Sequence, residues 1–282
     1  MTDTDTSAAI SRTALMAAAA RAAHLVVDDE PYVFEDPLAA PLLGDRADEL
    51  IDYHRLHGDH PVLAGARAQV LCRSRYAEDT LHRSGYTQYV VLGAGLDSYA
   101  YRSRDGVRVF EVDRAATQEY KRTAVRAAGL TDGADAVEAV YVPLDFEQDD
   151  LLDRLVAHGF DPLRPAVVSW LGVTMYLTRP AVERTLAGIA HLAPGTVLVL
   201  DHMVPEPDRD SAAQAYVAAV GPMNAQNGEA WLSFFSPADL ATLLAAHGMT
   251  AEHTNQHEIL GTRSDALKPS NLTWITRGTL TA

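Results

Sequence analysis

The chain contains one cysteine, Cys72, in 282 residues. A lone thiol permits no internal disulfide and no Cys-based zinc site, and it fits a reducing, cytoplasmic setting. Basic residues are few as well, 23 Lys plus Arg against 38 Asp plus Glu, leaving a net charge of −15. That charge repels phosphate backbones and anionic lipid surfaces, so neither nucleic acid nor membrane is an expected partner. The longest early apolar run, Ala14 to Val27, is broken by Arg21 and His24 and falls short of the roughly 18 apolar residues a membrane span needs. The amino terminus, MTDTDTSAAIS, lacks a basic stretch before an apolar run and does not read as a secretory signal. About the first ten residues are expected to be loose. No HExxH, no GxxxxGK[ST] phosphate loop and no repeat of fixed period occurs, which removes support for zinc protease, NTPase and solenoid readings.

What is present is a large apolar fraction, 48%, enough for one sizeable core. From Thr13 to Ser84 the pattern is helical, with a Pro-containing connection at Glu35 to Pro41 and a long helix from about Val62. After Gly85 short runs of β-formers alternate with helix-like sequence: Gln88 to Leu92, Val107 to Val112, Ala139 to Val142, Ala166 to Trp170 and Thr196 to Leu200. The intervening helices are Ala115 to Ala128, Leu151 to His158 and Pro180 to His191, and Ser236-Pro237-Ala238-Asp239 opens another that runs to about Ala246. Two further β segments, Thr250 to Leu260 and Asn271 to Arg277, are placed to form an antiparallel edge. The pattern predicts an α/β protein with a mostly parallel sheet of about seven strands. Residues 1–84 would form a helical cover and 85–282 the α/β domain, with a lid insertion near 206–231, all in one structural unit.

The strongest local signal is Tyr89-Val90-Val91-Leu92-Gly93-Ala94-Gly95-Leu96-Asp97, an apolar strand running into a glycine turn. Ligands of open α/β sheets sit beyond the carboxyl ends of strands, and glycine lets them approach the backbone while a following helix start offers free amides. A second strand, Val109-Phe110-Glu111-Val112-Asp113, ends in an acid 18 residues past Gly95, where a carboxylate can accept both ribose hydroxyls. A third ends in Asp145, which can accept from an adenine amine while Phe146 packs on the ring. Each feature alone has a bland explanation, a tight turn or a helix-capping acid; three successive strand ends aimed at one ligand do not. The dinucleotide fingerprint wants a glycine where Ser98 stands, and Asp97 would meet a pyrophosphate with like charge. A sulfonium and an ammonium, as in S-adenosylmethionine, would instead be favoured by Asp97, and Arg73 or Arg75 could receive the carboxylate of that cofactor.

Taken together, TALMAAAARAAH, VFEDPLA, RSRYAED, QYVVLGAGLDSYAYR, VFEVD, PLDFE and WLGVTMYLT resemble the leucine carboxyl methyltransferase-like family of S-adenosylmethionine-dependent methyltransferases, especially its bacterial secondary-metabolism branch. The resemblance implies a class I methyltransferase fold, Rossmann-like and seven-stranded with an antiparallel last strand. It implies that Arg73 contacts the methionyl carboxylate, Gly93 and Gly95 form the cofactor turn, Asp113 binds the ribose, and Asp145 with Phe146 holds the adenine. Arg21 is a further candidate near the methionyl group. The chain departs from the pattern at Leu171, where some relatives carry an acid.

Methyl transfer from a sulfonium is an in-line displacement that needs no covalent nucleophile. A carboxylate acceptor is already ionised at pH 7, whereas a phenol gains from a general base. His202, just past the fifth expected strand, is the candidate base; its alternative is a solvent-facing loop histidine. Met175 and Tyr176 are candidate walls of the acceptor pocket. His54, His57 and His60 recur every third residue, but Gly58 and Pro61 disrupt a rigid face, so a solvated turn is expected and no metal site. The expected activity is small-molecule O-methylation using S-adenosylmethionine and releasing S-adenosylhomocysteine, with a carboxyl of a polyketide-like or other secondary metabolite favoured. A phenol or hydroxyl acceptor with His202 as base, a non-catalytic nucleoside-binding protein, a nicotinamide-dependent oxidoreductase and a protein substrate stay open as alternatives.

Overall fold

Seven strands, β1 (Gln88–Leu92), β2 (Arg108–Asp113), β3 (Val140–Pro143), β4 (Val167–Trp170), β5 (Val197–Met203), β6 (Met249–Asn255) and β7 (Thr273–Leu280), form one sheet in the order β3-β2-β1-β4-β5-β7-β6. They are seen in a computed structural model that describes residues 10–103, 106–131, 139–261 and 265–281; residues 1–9, expected to be loose, lie outside that set. Strands β1 to β5 are parallel, and β7 inserts antiparallel between β5 and β6. The strand order reverses at β1, whose neighbours are β2 and β4, so the switch point lies at the glycine turn itself.

Both faces of the sheet are covered, which is why β1, β4 and β5 read as continuous apolar runs rather than alternating ones. On one face Val90, Leu92, Phe110, Trp170, Leu198 and Leu200 pack against α7 (Leu151–Ala157), α8 (Arg179–Ile189) and α10 (Pro237–Ala246). On the other, Tyr89, Val91, Val167, Val197 and Val199 pack against α4 (Pro61–Ser84) through Ala68, Leu71, Cys72 and Leu81. His60 caps α4 by accepting from the Val62 amide, and Ser236 caps α10 by accepting from the Asp239 amide at 3.1 Å. The expected strand from Thr250 to Leu260 stops at Asn255. There the Asn255 side chain accepts from the Glu258 amide and starts α11 (Gln256–Leu260), a local capping bond that outweighs the strand pattern.

Ahead of the sheet, α1 (Arg12–Val27), α2 (Ala39–Leu43) and α3 (Ala47–His57) bury a third apolar cluster in which Leu15, Ala18, Ala19 and Ala22 meet Leu43, Leu50, Ile51 and Leu96. The two residues that interrupt the apolar run of α1 are themselves buried and satisfied. Arg21 pairs with Asp36 at 2.7 Å and donates to the Leu96 carbonyl, and His24 joins Asp28, which in turn takes two bonds from buried Arg67. Burial alone would raise the Asp36 carboxyl, but Arg21, Arg102 and the Ser98 hydroxyl hold it below its usual range. Arg21 therefore clamps the helical cover to the residue that follows the glycine turn.

Candidate active site

The turn after β1 is shaped by contacts that exclude side chains. Gly93 has φ +68°, and a Cβ there would lie closer than 3.0 Å to Val173 Cγ2; Gly95 has φ +47°, and its Cβ would stand 3.1 Å from the Cβ of Ala14 on α1. The helix that follows, α5 (Tyr99–Arg102), is one short turn, and the amides ahead of it are engaged: Gly93 and Ala94 donate to the Val112 carbonyl, and Gly95 donates to Asp113 Oδ2 at 2.8 Å. Those three amides are thus spent on β2 rather than offered to a ligand. Asp113 ends β2 half-buried, its other oxygen accepting from the Arg114 amide, and burial pushes its carboxyl up despite those bonds.

From α4, Arg73 reaches the ends of β4 and β5. Its Nη1 donates to Asp201 Oδ2 at 3.0 Å, and its guanidinium fills the space a Cβ on Gly172 (φ +71°) would take. Asp201 is 1% exposed at the end of β5 and also accepts from the Gly172 amide. So although Leu171 replaces the acid of some relatives, a carboxylate is bonded to the very next residue. Arg75, the alternative cation, points elsewhere, donating to the Val33 carbonyl and lining a cleft with Tyr32 and His82. Arg21 is held by Asp36 and Leu96 as described. Asp97 accepts from the Tyr99 amide and remains partly exposed. Beyond β3, Asp145 is ordered by its own loop, accepting from the Glu147 amide and the Gln148 side chain, while Phe146 stacks on Trp170 with ring centroids 6.0 Å apart.

On the other side of Arg73 lies a small apolar cluster: Met175, Met203, Ala213 and Leu272, with Tyr176, Tyr216, Val217, Trp231 and Phe234 against them. Tyr216 and Val217 come from α9 (Ser211–Gln226), capped by Asp210 and followed by an extended stretch whose Leu232 amide donates to the Met175 carbonyl. Glu229 from that stretch accepts from Ser11 and from the Thr13 amide, tying it to the start of α1. Met175 and Tyr176 are thus brought together with the 206–231 segment. Burial pushes the Tyr176 phenol up and that of Tyr216 up to about 12, so both stay protonated.

His202 is corrected by its position. It lies within β5, not past it, 0% exposed, on the face opposite Asp201 because successive strand residues alternate. Its Nδ1 bonds the Phe235 carbonyl at 2.9 Å and its Nε2 the Thr276 hydroxyl at 3.1 Å. A carbonyl only accepts, so Nδ1 carries the proton, and burial lowers the ring to about 4. With both nitrogens engaged in the core it neither meets solvent nor reaches the cluster beside Arg73, and the base assignment falls. The triplet of histidines divides similarly. His54 is buried against Arg67, correcting the expected solvated turn, whereas His57 meets Tyr53 edge to face and His60 caps α4.

Asp201 was not anticipated. It follows the apolar run Val197 to Leu200 but lies inside β5, and because that run hides where the strand ends, the rule of acids at carboxyl ends did not single it out. Tyr216 and Trp231 carry no sequence signal beyond being aromatic in an insertion.

A cation, partly exposed carboxylates and a buried apolar cluster beyond the glycine turn fit an amino-acid-bearing nucleoside. The sheet order, with β7 antiparallel between β5 and β6, is that of a class I methyltransferase fold. Residues 14–190 match the model of the family described as leucine carboxyl methyltransferase. YktD of Bacillus subtilis (strain 168), named as an S-adenosyl-L-methionine-dependent methyltransferase, is 30% identical over 279 residues, covering 88% of this chain and 90% of its own. A Mycobacterium marinum protein named for the same activity is 34% identical over 225 residues, 75% of this chain and 72% of its own. A solved Thermobifida fusca structure described as a methyltransferase shares the fold with a TM-score of 0.60 at 17% identity, covering 97% of this chain and 96% of that one. The chain belongs to the leucine carboxyl methyltransferase family and is an S-adenosylmethionine-dependent methyltransferase. Among the described residues no helix is long and apolar enough to cross a membrane.

Proposed function

We propose that the protein methylates a carboxyl oxygen of a small molecule, giving a methyl ester, and that it works in the cytoplasm on a polyketide-like or other secondary metabolite. The observation that carries this reading is the state of the groups beside Arg73: Asp201 is paired, Tyr176 and Tyr216 are held protonated, and His202 is sequestered across the sheet. An acceptor that must first lose a proton, such as a phenol, finds no base among them; a carboxylate arrives ionised. When bound, S-adenosylmethionine supplies a methyl on a sulfonium sulfur: an acceptor lone pair forms the new O–C bond as the C–S pair returns to sulfur.

In this reading Arg73 holds the methionyl carboxylate, Gly93, Gly95 and Asp97 shape the turn around the amino-acid part, Asp113 takes the ribose hydroxyls, and Asp145 with Phe146 meets the adenine. Met175 and Tyr176 wall the acceptor. The 206–231 segment acts as lid, its tie to α1 excluding water from the displacement. The test is methyl transfer from labelled S-adenosylmethionine to matched panels of carboxylic acids and phenols. Base-labile label on acids alone supports the reading. Transfer to phenols alone contradicts it, and cofactor binding without transfer to either panel points to a non-catalytic binding protein.

A further inference from the structure

Helix α4 ends at Ser84 and leads into the start of β1, so it runs down the sheet from the carboxyl edge, and residues earlier in it stand higher above that edge. Arg73 touches Gly172 at the edge. Gln69 and Gly65 follow on the same face at spacings of four, each step rising about 6 Å. At Gly65 that face meets both the segment before β7 and the lid: a Cβ there would lie 3.3 Å from the Lys268 carbonyl oxygen and 3.9 Å from the Tyr216 ring. By helix spacing, Gln69 lies one turn from Arg73 and one turn from the position nearest Tyr216. It is 8% exposed, and its side-chain Nε2 has no hydrogen-bond partner among the described residues. A buried amide nitrogen with two N–H donors and nothing to receive them is unfavourable in the free protein and is explained by a ligand that supplies an acceptor.

We propose that Gln69 binds the methyl acceptor, its carboxamide N–H donating to the carboxylate oxygen that is not methylated, while the apolar body of the acid lies against Met175, Val217 and Trp231. The assignment rests on the carboxyl methyl-transfer reading above. Tyr216 keeps its hydroxyl proton and can donate to the same carboxylate.

The test uses the full chain and Gln69→Met, which keeps length and removes the donors. In the free protein the variant gains stability, with Tm higher by about 2 °C, because an unpaired buried donor is gone; an unchanged or lower Tm contradicts the proposal. With saturating S-adenosylhomocysteine, benzoate, phenylacetate and octanoate are then titrated by thermal shift against benzyl alcohol and octanol. The proposal expects at least one acid to stabilise the wild type more than its alcohol, a loss of about tenfold or more in that acid's affinity in Gln69→Met, and unchanged S-adenosylhomocysteine affinity. Equal response to acids and alcohols, or acids bound equally by both proteins, overturns it. If the wild type esterifies acids and Gln69→Met does so with unchanged KM, the Gln69 assignment alone fails; if it methylates only phenols, the carboxyl reading fails first.

Discussion

Arg73 and Asp201, 128 residues apart in the chain, meet at 3.0 Å where α4 crosses the end of β5. The pair holds the guanidinium against Gly172, in the loop after β4. An Arg73→Gln variant should lose about 10- to 100-fold in affinity for S-adenosylhomocysteine, the worth of a charge-assisted hydrogen bond to a carboxylate. Asp201→Asn, which keeps the shape but not the charge, should lose less, and calorimetry on both variants separates the bound cation from its anchor.

Gly93→Ala should be costly on two grounds. Its φ of +68° is strained for any L side chain, and the new methyl runs into Val173. A loss of at least about 1 kcal/mol in urea unfolding is expected. Adding Val173→Ala should recover only the steric part, so a full recovery would show that backbone strain is unimportant there.

The clamp between the helical cover and the turn is a buried ion pair. Asp36→Ala leaves Arg21 and Arg102 without their shared carboxylate and should destabilise by about 3–5 kcal/mol. The double variant Arg21→Met, Asp36→Leu should recover most of that, because the Arg21 charge is removed with that of Asp36 and Arg102 keeps its pairing with Glu78. Chemical denaturation of the three proteins tests this directly.

Two buried histidines set part of the pH response. Burial lowers His202 and His54 from 6.5 to about 4, so in the fold they stay neutral where the unfolded chain binds protons. Their contribution is complete above about pH 6.5 and is lost as pH falls toward 4, by about 3 kcal/mol each at most. Glu78 and Glu111, which burial raises to about 7, act oppositely: their contribution is present below 4.5 and lost as pH rises through 7. The wild-type profile therefore mixes both signs. The difference between wild type and His202→Asn isolates one group, and it should shrink by about 2–3 kcal/mol between pH 7 and pH 4.5.

Much of this molecule was legible in the order of its residues. The strands and the antiparallel edge followed from β-former runs, and the glycine turn with Asp113 followed from spacing, because each is a local pattern. His202 was misplaced because both faces of β5 are buried, so the apolar run Val197 to Leu200 hides where the strand ends and which face each later residue takes. The same ambiguity hid Asp201. Arg21 and His24, which looked like interruptions of an apolar helix, are satisfied by Asp36 and Asp28, partners that only the tertiary fold supplies. Gln69 gave no signal at all, since an unpaired donor is a property of surroundings and not of sequence.

The most direct test of the account is calorimetric binding of S-adenosylhomocysteine to the wild type and to Asp113→Ala, with NADH as control. Micromolar binding of the sulfur nucleoside that is lost in Asp113→Ala, with no heat from NADH, is the predicted result. Binding of NADH with none of S-adenosylhomocysteine would contradict the assignment of the glycine turn and the function drawn from it.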